Sequence, residues 1–390
     1  MSEFNITVDG GTSVRLPTAG KYVDRDIIVT ALGGGGITPT ETIDIVENGT
    51  YDVTEYATAN VNVPTGGGGD GAELARSVIN KTITAYIDND ITTVGMYSFV
   101  DCAVMTTVSV PNATSIGNYA FSSCDVLSNV NIPKVTTIGQ YAFNVDTALT
   151  NITGAELTST GNYCFTGCSA LASVDFPKIT SVGQYAFNNC TSLTAFDGEN
   201  VTTVGTYGFS GCSALTEISL PKATSVGGYA FNGMGASHIS LPSLTSMASG
   251  AFRGSKFVTV DLPNVTNISN NGFRAQGYIQ RLVLPKVTST SSEAVRNCDA
   301  LTYVDLPVCT SFGTYTFNDC NNLETLILRT TSKVCSMSNV NVLGGTKIES
   351  GEGYVYVPSS MVDSYKSASN WTTYSAQIRA IEDYPEITGG

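Results

Sequence analysis

Charged and titratable side chains are scarce in this chain of 390 residues: 13% are charged, Lys and Arg number 19 against 33 Asp and Glu, and there is one histidine. A formal charge of −14 leaves no basic stripe for a nucleic-acid backbone and disfavours an anionic membrane surface. No stretch approaches the ~20 apolar residues that cross a bilayer. Nucleic acid and membrane insertion are therefore not expected. His238 stands beside Ile239 on an expected strand, outside any serine–histidine–carboxylate setting, and reads as a solvent-facing strand residue. No G-x-x-x-x-G-K-S/T phosphate loop and no H-E-x-x-H pair occurs, so no cofactor, metal or catalytic residue is expected. The opening MSEFNITVDG lacks a charged n-region and an apolar h-region, and the end shows no anchor; a protein without signal-peptide export is expected.

Repetition is what the chain has in abundance. From Ile91 to about Arg329 a phrase of 21 or 22 residues recurs eleven times, most clearly in Ser181 to Thr202 beside Thr203 to Thr224. Its form is T-x-I/V-G-x-Y-A-F-x-x-C-x-x-L-x-x-V-x-L-P-x-x-T. A fixed period of this length predicts a solenoid, in which each turn buries its apolar face by stacking on its neighbours. The phenylalanine column, including Phe121, Phe143, Phe165, Phe187 and Phe209, is expected to fill the interior, with the tyrosines half-exposed between turns. Two short strands fit each phrase. One is L-x-x-V-x-L, ended by proline, which has no N–H for a ladder. The other is T-x-V-G, whose glycine is expected to let the backbone turn.

The ten cysteines suggest disulfides until their phase is read. Cys102, Cys124, Cys168, Cys190, Cys212, Cys298 and Cys320 share the F-x-x-C column, and Met234 and Ser255 take it elsewhere. The column reads as a reduced ladder of small or soft fillers. Turns about 4.8 Å apart with parallel side chains bridge poorly, and no C-x-x-C pair suggests a metal.

With these columns quoted, the pattern resembles the BspA-like, or Treponema-type, leucine-rich repeats over roughly Ile91 to Arg329. The resemblance implies a mainly β, right-handed solenoid with a parallel sheet on one face, and members that are mostly surface or binding proteins. Residues 248 to 296 depart from it: Ala248, Ser269 and Ser291 replace the glycine, Gly250, Asn271 and Glu293 the tyrosine, and Val295 a phenylalanine. The stack is expected to bend or loosen there.

Before the repeats, residues 1–32 read as a small β module with a hairpin signal at Asp9-Gly10-Gly11, 33–40 as a glycine-rich linker, 41–64 as a second β module, 65–71 as another linker and 72–90 as an N-terminal cap. The phrases SVRLPTAGKYVDRDIIVTA and ITPTETIDIVENGTYDVTEYATANVNVP look like N-terminal units of phage and prophage tail proteins. That resemblance implies a tail-fibre or receptor-binding protein of a virion. The modules would hold other tail proteins, and the solenoid would hold a bacterial surface glycan or protein. A homo-oligomer is compatible with this reading. A bacterial surface adhesin is the alternative. After the solenoid at 91–330, residues 331–390 read as a C-terminal helical cap: GYVYV is a strand, Ser359 and Ser360 are candidate N-caps, and Trp371, Tyr374 and Ile378 form a second short helix.

Candidate binding residues come from the outward strand positions. Arg281, Val283, Tyr303, Asp305 and Ile327 concentrate the side-chain types enriched where partners dock. Asp175 and Asp197 fall on adjacent turns, about 5 Å apart by strand spacing, a separation a retaining glycosidase uses. A flat sheet face offers no enclosing cleft, so solvated acids are expected, with calcium between stacked carboxylates or catalysis as the other uses.

Overall fold

The computed structural model describes residues 85–87 and 91–388, preceded by five short strands: Phe4–Val8, Thr12–Leu16, Ile28–Thr30, Ile43–Asp44 and Thr58–Asn60. Phe4–Val8 pairs antiparallel with Thr12–Leu16, as the Asp-Gly-Gly signal predicts, and on its other edge with Ile43–Asp44. Ile28–Thr30 pairs with Thr58–Asn60. Strands of the two expected modules thus pair with one another. The linkers at 33–40 and 65–71 and residues 72–84 of the expected N-terminal cap lie outside the described residues.

The chain forms two compact units, Met1–Asp197 and Gly198–Gly390. In the first, the long-face strands Ala85–Ile87, Thr107–Ser109, Asn129–Asn131, Asn151–Thr153 and Ser173–Asp175 form a five-stranded parallel sheet. A second parallel row runs through Thr93–Val94, Ser115–Ile116, Thr137–Ile138 and Ser159–Thr160. Each long strand stops before the proline position, as expected. In the second unit, Glu217–Ser219, His238–Ser240 and Thr259–Asp261 form one parallel sheet. Arg281–Val283, Tyr303–Asp305, Thr325–Ile327, Tyr354–Val357 and Ile378–Ala380 form another. The sheet breaks between Asp261 and Arg281, inside the stretch expected to loosen.

Interior columns hold the turns together. Phe121, Phe143, Phe165, Phe187 and Phe209 are all 0% exposed. Rings of successive turns stack, with Phe99–Phe121 centroids 5.2 Å apart at 2°, Phe121–Phe143 5.2 Å at 14° and Phe252–Phe273 5.3 Å at 23°. Burying each ring contributes about 1.5–3 kcal/mol.

Two residues before each phenylalanine the backbone is left-handed. Tyr97, Tyr119, Tyr141, Tyr163 and Tyr185 have φ between 54° and 60°. A second left-handed position follows two residues after the phenylalanine, at Asp101, Ser123, Val145, Gly167 and Asn189. This alternation aims every other N–H at the next turn: Tyr119, Phe121 and Ser123 donate to the carbonyls of Gln140, Ala142 and Asn144 at 2.9, 2.8 and 2.8 Å. Left-handed backbone costs a residue with a Cβ about 1–2 kcal/mol. The inter-turn bond, net about 0.5–1.5 kcal/mol, and tyrosine stacking at 4.5–4.9 Å offset it.

The glycine column serves another purpose than the expected turn. A Cβ on Gly161 would lie 2.5 Å from the Gly139 carbonyl carbon, and one on Gly313 would lie 2.4 Å from that of Ser291. These glycines let main chains of successive turns touch.

The cysteine column also needs rereading. Thiols of Cys124, Cys168, Cys190, Cys298 and Cys320 donate to the carbonyls of Phe99, Phe143, Phe165, Phe273 and Val295 at 2.9–3.1 Å. Ser255 Oγ and Gln276 Nε2 donate to Phe231 and Phe252 in the same way. Most turns place a donor at this position, whereas Met234 fills it without one. Asp146 also stands in this column. It is 0% exposed, its Oδ1 accepts the Cys124 N–H at 2.8 Å, and its Oδ2 has no partner. Burial pushes its carboxyl well above the ordinary range.

At the C-terminus Tyr354–Val357 is the expected strand, followed by a 3-10 turn at Ser359–Met361 and a helix at Val362–Ser367. Ser359 and Ser360 do not cap; Pro358 and Met361 precede these two elements, with no side-chain cap bond. Ile378 opens a strand rather than extending a second helix, because Ile378–Ala380 pairs with Val355–Val357. Unforeseen was a one-turn helix at Lys347–Ser350. Thr346 Oγ1 accepts the Glu349 N–H at 3.2 Å, and Glu349 Oε2 accepts that of Gly345 at 2.7 Å, a reciprocal cap readable from T-x-x-E.

Candidate recognition surface

Three-residue strands turn their central side chain inward, buried at Ile152 and half-buried at Val130 and Val174, and the two flanking ones outward. In the first unit this exposes Asn129 and Asn131, Asn151 and Thr153, and Ser173 and Asp175. Parallel pairing at a constant 22-residue offset puts like positions side by side. Asn131 Nδ2 donates to Ser109 Oγ at 2.9 Å across one such step. The result is an open row of amide and hydroxyl groups repeating at about 4.8 Å.

Asp175 and Asp197 are both exposed on this side of the repeat, linked through the bridge between Ser173 and Ala195. Among the described residues no group of three or more His, Cys, Asp or Glu is placed to hold a metal ion. His238 Nδ1 lies 2.7 Å from Thr259 Oγ1, a contact along the strand face.

The expected docking cluster in the second unit divides in two. Arg281 and Val283 are exposed, Val283 at 46%. Tyr303, Asp305 and Ile327 are 7%, 8% and 0% exposed. The strand period rightly points them away from the solenoid interior, but the chain's own end covers them: Ile381, Tyr384 and Ile387 pack against Tyr303, Ile327 and Tyr356. Tyr303 Oη donates to the Ile387 carbonyl at 3.2 Å, and the Arg281 guanidinium sits 3.6 Å over the Tyr303 ring. Asp305 is paired with Arg329 at 2.7 Å. Tyr303, Ile327 and Tyr356 form a second, outer core. Ile381, Tyr384 and Ile387, spaced three apart, were the sequence signal for it.

The repeat matches the family described as "BspA type Leucine rich repeat region (6 copies)" over residues 80–194 and 202–324. The chain belongs to that family. Among solved structures, the BspA-type chain is similar to a leucine-rich repeat protein of Bacteroides ovatus, with 18% identity over 76% of this chain and 94% of that one and a TM-score of 0.51. It is also similar to a leucine rich cell surface protein of Faecalibacterium prausnitzii, with 21% identity, coverage of 76% and 79%, and a TM-score of 0.40. A leucine-rich repeat protein of Eubacterium ventriosum gives 20%, 68% and 83%, and 0.42. The first of these supports the fold and nothing finer. No curated protein matches. Among the described residues of this BspA-type protein, no helix is long and apolar enough to cross a membrane.

Proposed function

We propose that this protein is an adhesin-like bacterial surface protein that binds an extended glycan or protein through its repeat face, without catalysis. The observation that carries the reading is the exposed row from Asn129 to Asp175. A polymer with its own repeat can meet such a row at several turns at once, so that weak contacts sum to useful avidity. Family membership supports this role over a virion one, because the BspA-type resemblance implies surface and binding proteins. The virion reading, with its tail-protein partners, rests on the likeness of the N-terminal phrases alone.

The test is binding of the full-length protein to bacterial cells before and after periodate or protease treatment. The variant Asn129→Ala/Asn131→Ala/Asn151→Ala/Asp175→Ala should bind at least about tenfold more weakly, about 1.4 kcal/mol, with its unfolding midpoint little changed. Unchanged binding by that variant would sink the proposal. Turnover of a cell-wall glycan that disappears in Asp175→Asn or Asp197→Asn would replace it with a hydrolase.

A further inference from the structure

Five of the column cysteines aim their thiols at a main-chain carbonyl one turn back, at 2.9–3.1 Å. Cys309 and Cys335 stand in a different column and behave differently. Their sulfurs face each other 3.9 Å apart, while their carbonyl contacts, to Ser311 and Ser336, are as long as 3.6 and 4.0 Å. Both side chains are 0% exposed, and the strands just after them pair in parallel, Ser311 beside Ser336. The cap grips Cys335 on both sides. Its N–H donates to Tyr365 Oη at 2.9 Å, and its carbonyl accepts Trp371 Nε1–H at 2.6 Å.

We infer that Cys309 and Cys335 are a redox-active pair that closes to a disulfide and fastens the C-terminal cap to the last repeat turns. Closure needs the sulfurs to approach by about 2 Å. The oxidant is a small-molecule disulfide such as oxidised glutathione. The Cys309 thiolate attacks one of its sulfurs, forming a mixed disulfide and releasing one glutathione thiolate. Cys335 then loses its proton and attacks the Cys309 sulfur, releasing the second. Two protein thiols are oxidised and one disulfide is reduced to two thiols. Cys309 is the better first nucleophile, because the Cys335 thiol donates to it and holds it below the ordinary thiol range. The bridge spans 26 residues, a loop long enough to restrict the unfolded chain substantially.

The experiment incubates the native full-length protein with oxidised glutathione just below its unfolding transition, where the cap opens transiently. Free thiols are then blocked and the digest is mapped by mass spectrometry. The expected result is one peptide pair joining Cys309 to Cys335 and two fewer titratable thiols than the ten of the reduced chain. A raised Tm that dithiothreitol reverses should accompany it. Cys190→Ser, which keeps a donor in its column, retains the link and the Tm rise; Cys335→Ser loses both. Absence of the linked pair from the wild-type digest, or a link joining column cysteines such as Cys298 and Cys320, overturns the inference whether or not the variants fold.

Discussion

The tyrosine column of the first unit and its counterpart at Gly250, Asn271 and Glu293 in the second share one backbone and differ in nearly every side-chain contact. From Tyr97 to Tyr185 the rings stack within 15° of parallel. At Gly250 there is no side chain, and a Cβ there would lie 2.4 Å from the Tyr229 ring, which occupies the space. Asn271 accepts from Arg274, and Glu293 bridges Arg274 and Arg296 at 2.6 and 3.4 Å. Yet φ stays at 64°, 57° and 54°, and all three N–H groups still donate to the next turn. The inter-turn hydrogen bonds therefore dictate the left-handed turn, and the tyrosines are one way of compensating for it. Glycine and asparagine adopt that conformation cheaply. Glutamate does not, and its ion pairs, each worth about 0–1 kcal/mol at partial exposure, help to offset the cost.

The largest effect separating the two regions should come from the interior. Phe143→Ala removes a ring stacked on both neighbours and should cost about 3–5 kcal/mol. Val295→Ala, at the one turn without the phenylalanine, removes less buried surface and should cost about 1.5 kcal/mol. Urea midpoints of the full-length variants measure both. Equal losses would mean that residues 248–296 pack at least as tightly as the regular turns.

What could be read in advance follows from the same physics. Phe121, Phe143 and Cys124 were legible because a buried position must be filled in every turn, and so the residues repeat. The left-handed tyrosines were not, because tyrosine is a poor candidate for that conformation and only contacts between turns enforce it. Asp146 and Gln276 were missed as members of the cysteine column. Gln276 shares with cysteine a proton to donate, and Asp146 instead accepts the Cys124 N–H; neither shares its size or hydropathy. Tyr303 and Ile327 were rightly placed on the outward face, but strand alternation carries no information about a segment more than fifty residues later folding over them.

Asp146 supplies the next test, confined to the regular region. Burial raises its pKa in the folded state, so the folded chain holds this proton more tightly than the unfolded one. The stabilising contribution is complete below the unfolded value near 4 and is lost as pH rises toward the raised folded value. Asp146→Asn and Asp146→Cys do not carry this charge. Their stability advantage over wild type should therefore be small at about pH 4 and grow at higher pH. Urea titrations across that range decide it. A wild-type stability that rises with pH relative to both variants would show that Asp146 is held as the carboxylate.

The smallest contrast is the most direct probe of compensation. Tyr141 stacks on Tyr119 and Tyr163 at 4.6 Å each, whereas Tyr315 is 36% exposed and has Arg296 5.6 Å over its ring. Both hold φ at 57°, so Ala leaves the backbone cost in place and removes only the ring. Tyr141→Ala should lose two stacking contacts, about 1–3 kcal/mol together, and Tyr315→Ala about 0.5–1 kcal/mol from one exposed cation–π contact. Glycine at either site relieves the backbone cost as well. Tyr315→Gly should therefore come out near neutral, while Tyr141→Gly should remain destabilised, since losing both stacks outweighs the relief. If Tyr141→Gly proved as stable as wild type, the stacked rings would be an ornament of the surface and not what balances the strained turn.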